Sequence, residues 1–94
     1  MENIQEISKI VKNLHTEAET TTFFKELLTE SEIETLSKRW RILSMLKAGS
    51  TQRDIAKALQ VSLCKVTRGA KILKDENSIL AKYLIKENYN ANNE

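Results

Sequence analysis

The sequence predicts an all-α fold, and three observations support that prediction. Proline is absent and glycine occurs only twice in 94 residues, so few positions would interrupt a helix. Apolar residues recur at steps of three and four along most of the chain, which is the period of an amphipathic helix. The polar stretches between these patterns are only a few residues long. We therefore expect six helices in a single domain over residues 1–88, with residues 89–94 as a disordered tail.

The first helix is predicted over residues 3–14, and its apolar stripe consists of Ile4, Ile7, Ile10, Val11 and Leu14. The next segment, residues 15–22, is polar and acidic, so we expect a loop or a frayed helix end there. Thr21 or Thr22 would then cap a short second helix over residues 22–28. The apolar residues of that helix are Phe23, Phe24, Leu27 and Leu28.

The third helix is predicted to begin at about Glu30, because Thr29 and Glu32 have the Thr-x-x-Glu spacing of a capping box. It should end before Gly49, which can adopt the positive φ of a helix C-terminus. Its apolar face follows steps of three and four and consists of Ile33, Leu36, Trp40, Leu43 and Leu46. Trp40 lies at the centre of that face, so it is predicted to be a core residue.

Residues 51–73 predict a helix-turn-helix. The fourth helix is capped by Ser50 or Thr51, and the fifth by the hydroxyl of Ser62. Between them the turn needs a residue with positive φ, and Gln60 holds the position where glycine is usual. The apolar faces of the two helices are Ile55, Ala56 and Leu59 in the first, and Leu63, Val66 and Leu73 in the second.

A last amphipathic helix is predicted over residues 78–87, after the polar break at residues 75–78. The helices at residues 3–14, 22–28 and 78–87 have apolar faces larger than so small a core can cover. We therefore expect a partner chain, most simply a second copy in a two-fold dimer.

The distribution of charged residues along the chain indicates a function for the predicted helix-turn-helix. Residues 37–74 hold ten Lys and Arg against the single acid Asp54, whereas the segments on either side are acidic and the whole chain is only +2. Cations clustered over a helix-turn-helix are what neutralising DNA phosphates requires. The alternative is an ordinary solvated cationic face on a helical hairpin.

The sequence lacks the residues that several other classes of function require. Cys64 is the single cysteine and His15 the single histidine, so neither a disulfide nor a zinc site is expected. No paired carboxylates and no nucleophile with a neighbouring base stand in the sequence, which argues against an enzyme. No stretch is apolar for long enough to be a signal sequence or a membrane span, so we expect a cytoplasmic protein.

Two segments resemble the tryptophan repressor family. They are LLTESEIETLSKRWRIL at residues 27–43 and STQRDIAKALQVSLCKVTRGAKILK at residues 50–74, and they stand in the family's order at nearly its separation. The resemblance covers about residues 23–84. It implies a six-helix intertwined homodimer that binds operator DNA when L-tryptophan, the corepressor, is bound. Such a protein would repress genes of tryptophan biosynthesis or salvage.

The resemblance also implies a binding site for L-tryptophan, with no metal. The indole ring would lie between two arginines from different chains, which match Arg39 and Arg68. Thr29 and the carbonyls of Leu27 and Leu28 would hold the amino-acid end, and Gly69 would let the ring approach the fifth helix. Where the family usually has a small hydroxyl residue, this chain has Ile72, which could pack against the ring but offers no polar contact.

The helix-turn-helix residues expected to contact DNA lie at the start of the fourth helix and on the fifth. They are Gln52, Arg53, Ser62, Leu63, Cys64, Lys65, Thr67, Lys71 and Lys74. Lys65 is expected to point away from the tryptophan site. Ala56 stands where the family has a basic residue.

Two other interpretations remain open from the sequence. A constitutive DNA-binding module would share the basic segment but bind DNA regardless of any amino acid. A helical protein-interaction bundle would share the apolar stripes but bind no DNA.

Overall fold

The computed structural model describes residues 2–87, and this part of the chain contains six α-helices and no strand. The helices are α1 (Glu2–Asn13), α2 (Glu17–Leu27), α3 (Glu30–Lys47), α4 (Gln52–Leu59), α5 (Leu63–Lys74) and α6 (Ile79–Glu87). The all-α prediction is confirmed. The predicted tail at residues 89–94 lies outside the described residues. The chain divides into two compact units, Met1–Thr35 and Leu36–Glu94.

In the first unit, neither α1 nor α2 contains a buried residue. Ile4 at 60% and Ile10 at 50% are among the most exposed large apolar side chains of the described chain. Phe23 and Phe24 are half-buried, and their rings meet edge to face with centroids 5.5 Å apart. Much of the apolar surface predicted for this unit is therefore left uncovered in the single chain.

The predicted start of α2 was wrong. The helix begins at Glu17 rather than near residue 22, so the acidic segment forms its first turns instead of a loop. Thr16 is the cap, since its Oγ1 accepts a hydrogen bond from the backbone N–H of Glu19 at 3.0 Å, and the Glu19 carboxylate accepts one from the N–H of His15 at 2.8 Å. Carboxylates also suit the positive end of a helix.

The predicted ends of α3 are confirmed. At its start, Thr29 Oγ1 accepts from the N–H of Glu32 at 3.1 Å, and the Glu32 carboxylate accepts from the N–H of Thr29 at 2.9 Å, which completes the capping box. At its end, Gly49 has φ of 102°. The N–H groups of Gly49 and Ser50 donate back to the carbonyls of Leu46 and Met45, the pattern of a Schellman motif.

The core of the second unit forms where α4 and α5 pack with the C-terminal half of α3. Ile55 of α4 and Val66 of α5 are fully buried, and Ile42 of α3 and Leu59 of α4 join them. Half-buried residues around this cluster are Met45, Leu46, Ala56 and Val61. α6 adds Leu84, which is also buried. The cluster holds α5 by its buried face and leaves its other faces available for function.

The connection between α4 and α5 has the conformation that its residues predict. Thr51 caps α4 through the N–H of Asp54, and Ser62 caps α5 through the N–H of Lys65. Gln60 adopts φ 56° and ψ 48°, the left-handed region, and the next N–H, of Val61, returns to the carbonyl of Ala56. A side chain with a Cβ is strained in this region.

Replacing Gln60 with glycine should therefore stabilise the protein by about 1 kcal/mol. The left-handed conformation costs a residue with a Cβ about 1–2 kcal/mol, and glycine avoids this cost. Glycine also has more conformational entropy in the unfolded chain, which offsets part of the gain. Denaturant unfolding at a fixed protein concentration measures the change. Gln60→Ala, which keeps the Cβ, should give no such gain. Equal midpoints for the glycine and alanine variants would contradict the strain argument.

Candidate functional site

A cavity of about 360 Å³ lies in the second unit among α3, α5 and α6. Its lining residues are Leu36, Arg39, Trp40, Ile42 and Leu43 of α3, Lys65, Arg68, Gly69 and Ile72 of α5, and Leu80 of α6. The volume is within the range of about 300–1,000 Å³ that small-molecule sites occupy.

The lining has a simple chemical composition. Most of the side chains are apolar, three are cationic, and none of the lining residues is acidic. An apolar wall stabilises a bound aromatic ring, because the apolar surface of the ring is removed from water. Guanidinium groups can stack on the face of an aromatic ring or donate hydrogen bonds to a carboxylate. The cavity is therefore suited to a small aromatic ligand that carries a negatively charged group.

Helical spacing explains how these residues reach one cavity. On α3, Leu36, Arg39 and Leu43 follow steps of three and four. On α5, Lys65, Arg68 and Ile72 do the same. Residues at these steps share one face of a helix, so each helix contributes a stripe with an arginine near its middle.

Gly69 brings the two stripes together. A Cβ added at this position would lie 3.1 Å from Cγ2 of Ile42, 3.3 Å from Cδ1 of Leu46 and 3.4 Å from Cδ2 of Leu43. The distances to Ile42 and Leu46 are shorter than ordinary van der Waals contact between carbon atoms, and the distance to Leu43 is at its lower limit. The absence of a side chain at position 69 thus allows α5 to lie close against α3. Gly69 also lines the cavity.

A second, more open groove of about 380 Å³ follows the outer face of α5. It is lined by Leu63, Cys64, Thr67, Arg68 and Lys71. Arg68 therefore lines both the groove and the cavity. Four of the residues expected to contact DNA, Leu63, Cys64, Thr67 and Lys71, share this groove, and Ser62 caps the helix just before it.

The remaining residues of the predicted DNA surface are also accounted for. Arg53 and Lys74 are exposed. The Oγ1 of Thr67 donates to Oε1 of Gln52 at 2.9 Å, which ties the first residue of α4 to the middle of α5. Of the ten basic residues between positions 37 and 74, only Lys38 is half-buried and the others are exposed. Their charges can therefore reach a polyanion.

Comparison with known proteins identifies the family. The profile described as Trp repressor protein matches residues 2–88, nearly the whole chain. The chain belongs to the Trp repressor family. This is a regulatory, non-enzymatic family.

Curated relatives of this Trp repressor family member come from three strains of Xylella fastidiosa, M23, Temecula1 and 9a5c, and each is named Trp operon repressor homolog. Each is 46% identical over 52 residues, which is 54% of this chain and 56% of the relative. The chain thus spans just over half the length of the curated relatives it matches. No solved structure matches the chain.

The cavity brings together four of the seven residues that the Trp repressor resemblance assigns to tryptophan: Arg39, Arg68, Gly69 and Ile72. Leu27, Leu28 and Thr29 are not among its lining residues and belong to the first unit. Leu27 ends α2, Leu28 is its C-cap, and Thr29 takes part in the capping box of α3.

Several residues that line the cavity were not predicted to lie there. Trp40 is 39% exposed and lines the cavity, so its prediction as a core residue is wrong for the single chain. Lys65 was expected to point away from the tryptophan site, but it also lines the cavity. Leu36 and Leu80 were not assigned to the site at all. The spacing of Leu36 from Arg39, and of Lys65 from Arg68, was the available signal.

Within the described residues, no helix is both long and apolar enough to span a membrane. The same residues contain no group of three or more His, Cys, Asp or Glu side chains arranged to hold a metal ion.

Replacing Gly69 with valine should destabilise the protein by roughly 1–3 kcal/mol, the usual cost of overpacking a close contact. The added methyl groups would meet Ile42, Leu43 and Leu46, of which the first two are buried. Lys71→Val is the matched control, since it places the same side chain at an exposed position two residues along α5. Urea unfolding measures the midpoints of the two variants. Equal midpoints would show that the close packing of α3 against position 69 does not contribute to stability.

Proposed function

We propose that the chain is a tryptophan-dependent transcriptional repressor. L-tryptophan is its corepressor, and the homodimer binds operator DNA through α4 and α5 to repress genes of tryptophan biosynthesis or salvage. Membership in the Trp repressor family and the names of the relatives support this function. The observation that carries it is the cavity in which Arg39 and Arg68 lie among apolar walls, and which shares Arg68 with the groove on α5.

The cavity suits the chemistry of tryptophan. Its volume of about 360 Å³ is sufficient for the indole ring of tryptophan together with the amino-acid part of the molecule. Arg39 and Arg68 offer planar guanidinium groups that can stack on the indole face and hydrogen-bond the carboxylate. The resemblance implies that the Arg39 and Arg68 around one ligand come from different chains, whereas both arginines of a single chain line this cavity. We propose that the ring binds between these two arginines of one chain.

The amino-acid end of the ligand would be held by the partner chain. The hydroxyl of Thr29 accepts a hydrogen bond within the capping box, and its own O–H is still able to donate to a carboxylate. Leu27 and Leu28 stand at the C-terminus of α2, where backbone carbonyls lack partners within the helix. Those carbonyls can accept hydrogen bonds from the ligand ammonium, a contact that Ile72 cannot supply.

The outer face of α5 and the start of α4 form the proposed DNA-binding surface. Arg53, Lys71 and Lys74 are exposed and can pair with phosphates, whereas Leu63, Cys64 and Thr67 line the groove that would face base edges. Ser62 and Gln52 complete this surface at the starts of α5 and α4. Lys65, which is exposed and also lines the cavity, is part of this proposed surface as well.

Coupling between the ligand and DNA follows from the position of α5. One helix supplies Arg68 and Ile72 to the cavity and Thr67 and Lys71 to the groove. A ligand packed behind α5 would favour the pose of the helix that fits the major groove. The coupling free energy equals the difference in ligand affinity between that pose and the others, typically about 1–3 kcal/mol.

The proposed homodimer accounts for the uncovered apolar side chains. In the single chain, Ile4, Ile10, Leu27, Leu36, Ile79 and Tyr83 are all exposed. Ile79 is the most exposed of them at 67%. So many large apolar side chains on one small chain are typical of a surface that a partner covers.

The corepressor proposal predicts that L-tryptophan raises DNA affinity by roughly 5- to 150-fold, the usual range of such coupling. The probe is a duplex selected from a random-sequence pool in the presence of L-tryptophan, and fluorescence anisotropy measures its affinity at zero and saturating ligand. Arg39→Ala should lower tryptophan affinity roughly 10- to 100-fold, as expected for losing a hydrogen bond to a charged group. The tryptophan concentration that promotes DNA binding should rise accordingly.

Arg41→Ala is the control for that variant, because Arg41 is an exposed arginine of α3 that does not line the cavity. It should leave tryptophan affinity unchanged. If the duplex binds equally well with and without tryptophan, the constitutive module is the correct interpretation.

The dimer proposal predicts that Ile10→Glu reduces association, since it places a charge in an apolar stripe that the partner would cover. Lys9→Glu, at the neighbouring exposed position, makes a larger change in charge but leaves the stripe intact. Sedimentation velocity should give a dimer for the native chain and for Lys9→Glu, and a smaller or unfolded species for Ile10→Glu. A folded monomer of the native chain at low micromolar concentration would disprove the dimer.

A further inference from the structure

Lys65 contributes a third positive charge to the cavity. We propose that Lys65 is a ligand-binding residue, which pairs with the carboxylate of the bound tryptophan beside the two arginines. This inference rests on the proposed function, in that it takes an indole-bearing carboxylate as the ligand. It concerns a residue that we had expected only at the DNA surface.

The position of Lys65 on α5 supports this role. It lies one turn before Arg68 and two turns before Ile72, and all three line the cavity. A lysine at this spacing can extend along the stripe with its aliphatic stem against apolar neighbours and its ammonium group at the mouth. The side chain is exposed, so it can reorient when a ligand arrives.

The electrostatic surroundings favour an anion at the same place. Lys65 stands in the first turn of α5, where its backbone N–H is capped by Ser62 and the helix dipole is positive. Arg39 and Arg68 add their charges, and no acidic side chain lines the cavity to neutralise the three cations. A ligand that brings a carboxylate relieves their mutual repulsion.

Ile72 makes the anionic group more important for binding. It occupies the turn of α5 beyond Arg68 with an apolar side chain, so the lining residues of α5 offer the ligand cations and apolar surface but no side-chain acceptor for an ammonium group. The selectivity of this part of the site therefore depends on its cations, and Lys65 is the cation nearest the start of α5.

The test measures L-tryptophan affinity of the full dimer by calorimetry in three variants whose helix content is checked by circular dichroism. Lys65→Met keeps the aliphatic stem and removes the charge, and Lys65→Arg keeps a charge. Lys57→Met removes an exposed lysine of α4 that lines neither the cavity nor the groove. We expect Lys65→Met to weaken tryptophan binding about 5-fold, the effect of losing one partly exposed charge pair. Lys65→Arg and Lys57→Met should stay within about twofold of the native chain.

The salt dependence provides a second measurement. If Lys65 pairs with the carboxylate, tryptophan affinity should fall with ionic strength less steeply in Lys65→Met than in the native chain. Equal tryptophan affinities for Lys65→Met and Lys57→Met would overturn the role of Lys65, and tryptophan binding by the native chain would still uphold the proposed function. Equal losses in Lys65→Met and Lys65→Arg would also overturn it, because charge would then not be the cause. Absence of tryptophan binding to the native dimer would refute the proposed function itself.

Discussion

The packing of the Ile42 side chain of α3 against Gly69 of α5 is the constraint that links the core of the second unit to the cavity. This packing is possible because position 69 lacks a side chain, and a Cβ there would meet Ile42 at 3.1 Å. The same packing sets the width of the cavity, since Gly69 and Ile42 both line it. Stability and the proposed ligand binding therefore impose the same requirement on this residue. A larger side chain would separate the helices and fill part of the space between them.

Local signals in the sequence were sufficient for most of the helix boundaries. Thr29 with Glu32, Thr51, Ser62 and Gly49 all act where the pattern predicted, because capping depends on side chains within a few residues of the helix end. The exception is α2. Its cap, Thr16, has the same Thr-x-x-Glu spacing to Glu19 as Thr29 has to Glu32, so the local signal was present in a segment whose polar, acidic composition is typical of a loop.

The cavity could be predicted only in part, for a physical reason. The family resemblance pointed to Arg39, Arg68, Gly69 and Ile72, which the structure brings together. Trp40 was predicted in the core and Lys65 at the DNA surface, and both line the cavity. The sequence gives the face of a helix to which a residue belongs, but not the neighbour that the face meets. Trp40 is on the apolar face of α3, as predicted, but in the single chain that face borders a cavity rather than a filled core.

The exposed indole of Trp40 has a practical consequence. The sequence contains one tryptophan, and that residue stands in the wall of the cavity beside Arg39. Biosynthetic incorporation of 5-fluorotryptophan would thus place a single ¹⁹F nucleus per chain at the cavity, with no background from other sites. A homodimer with both cavities empty or both filled would give one ¹⁹F resonance. A homodimer with one filled cavity would give two. The protein thus carries its own spectroscopic label for counting how many of its cavities are filled.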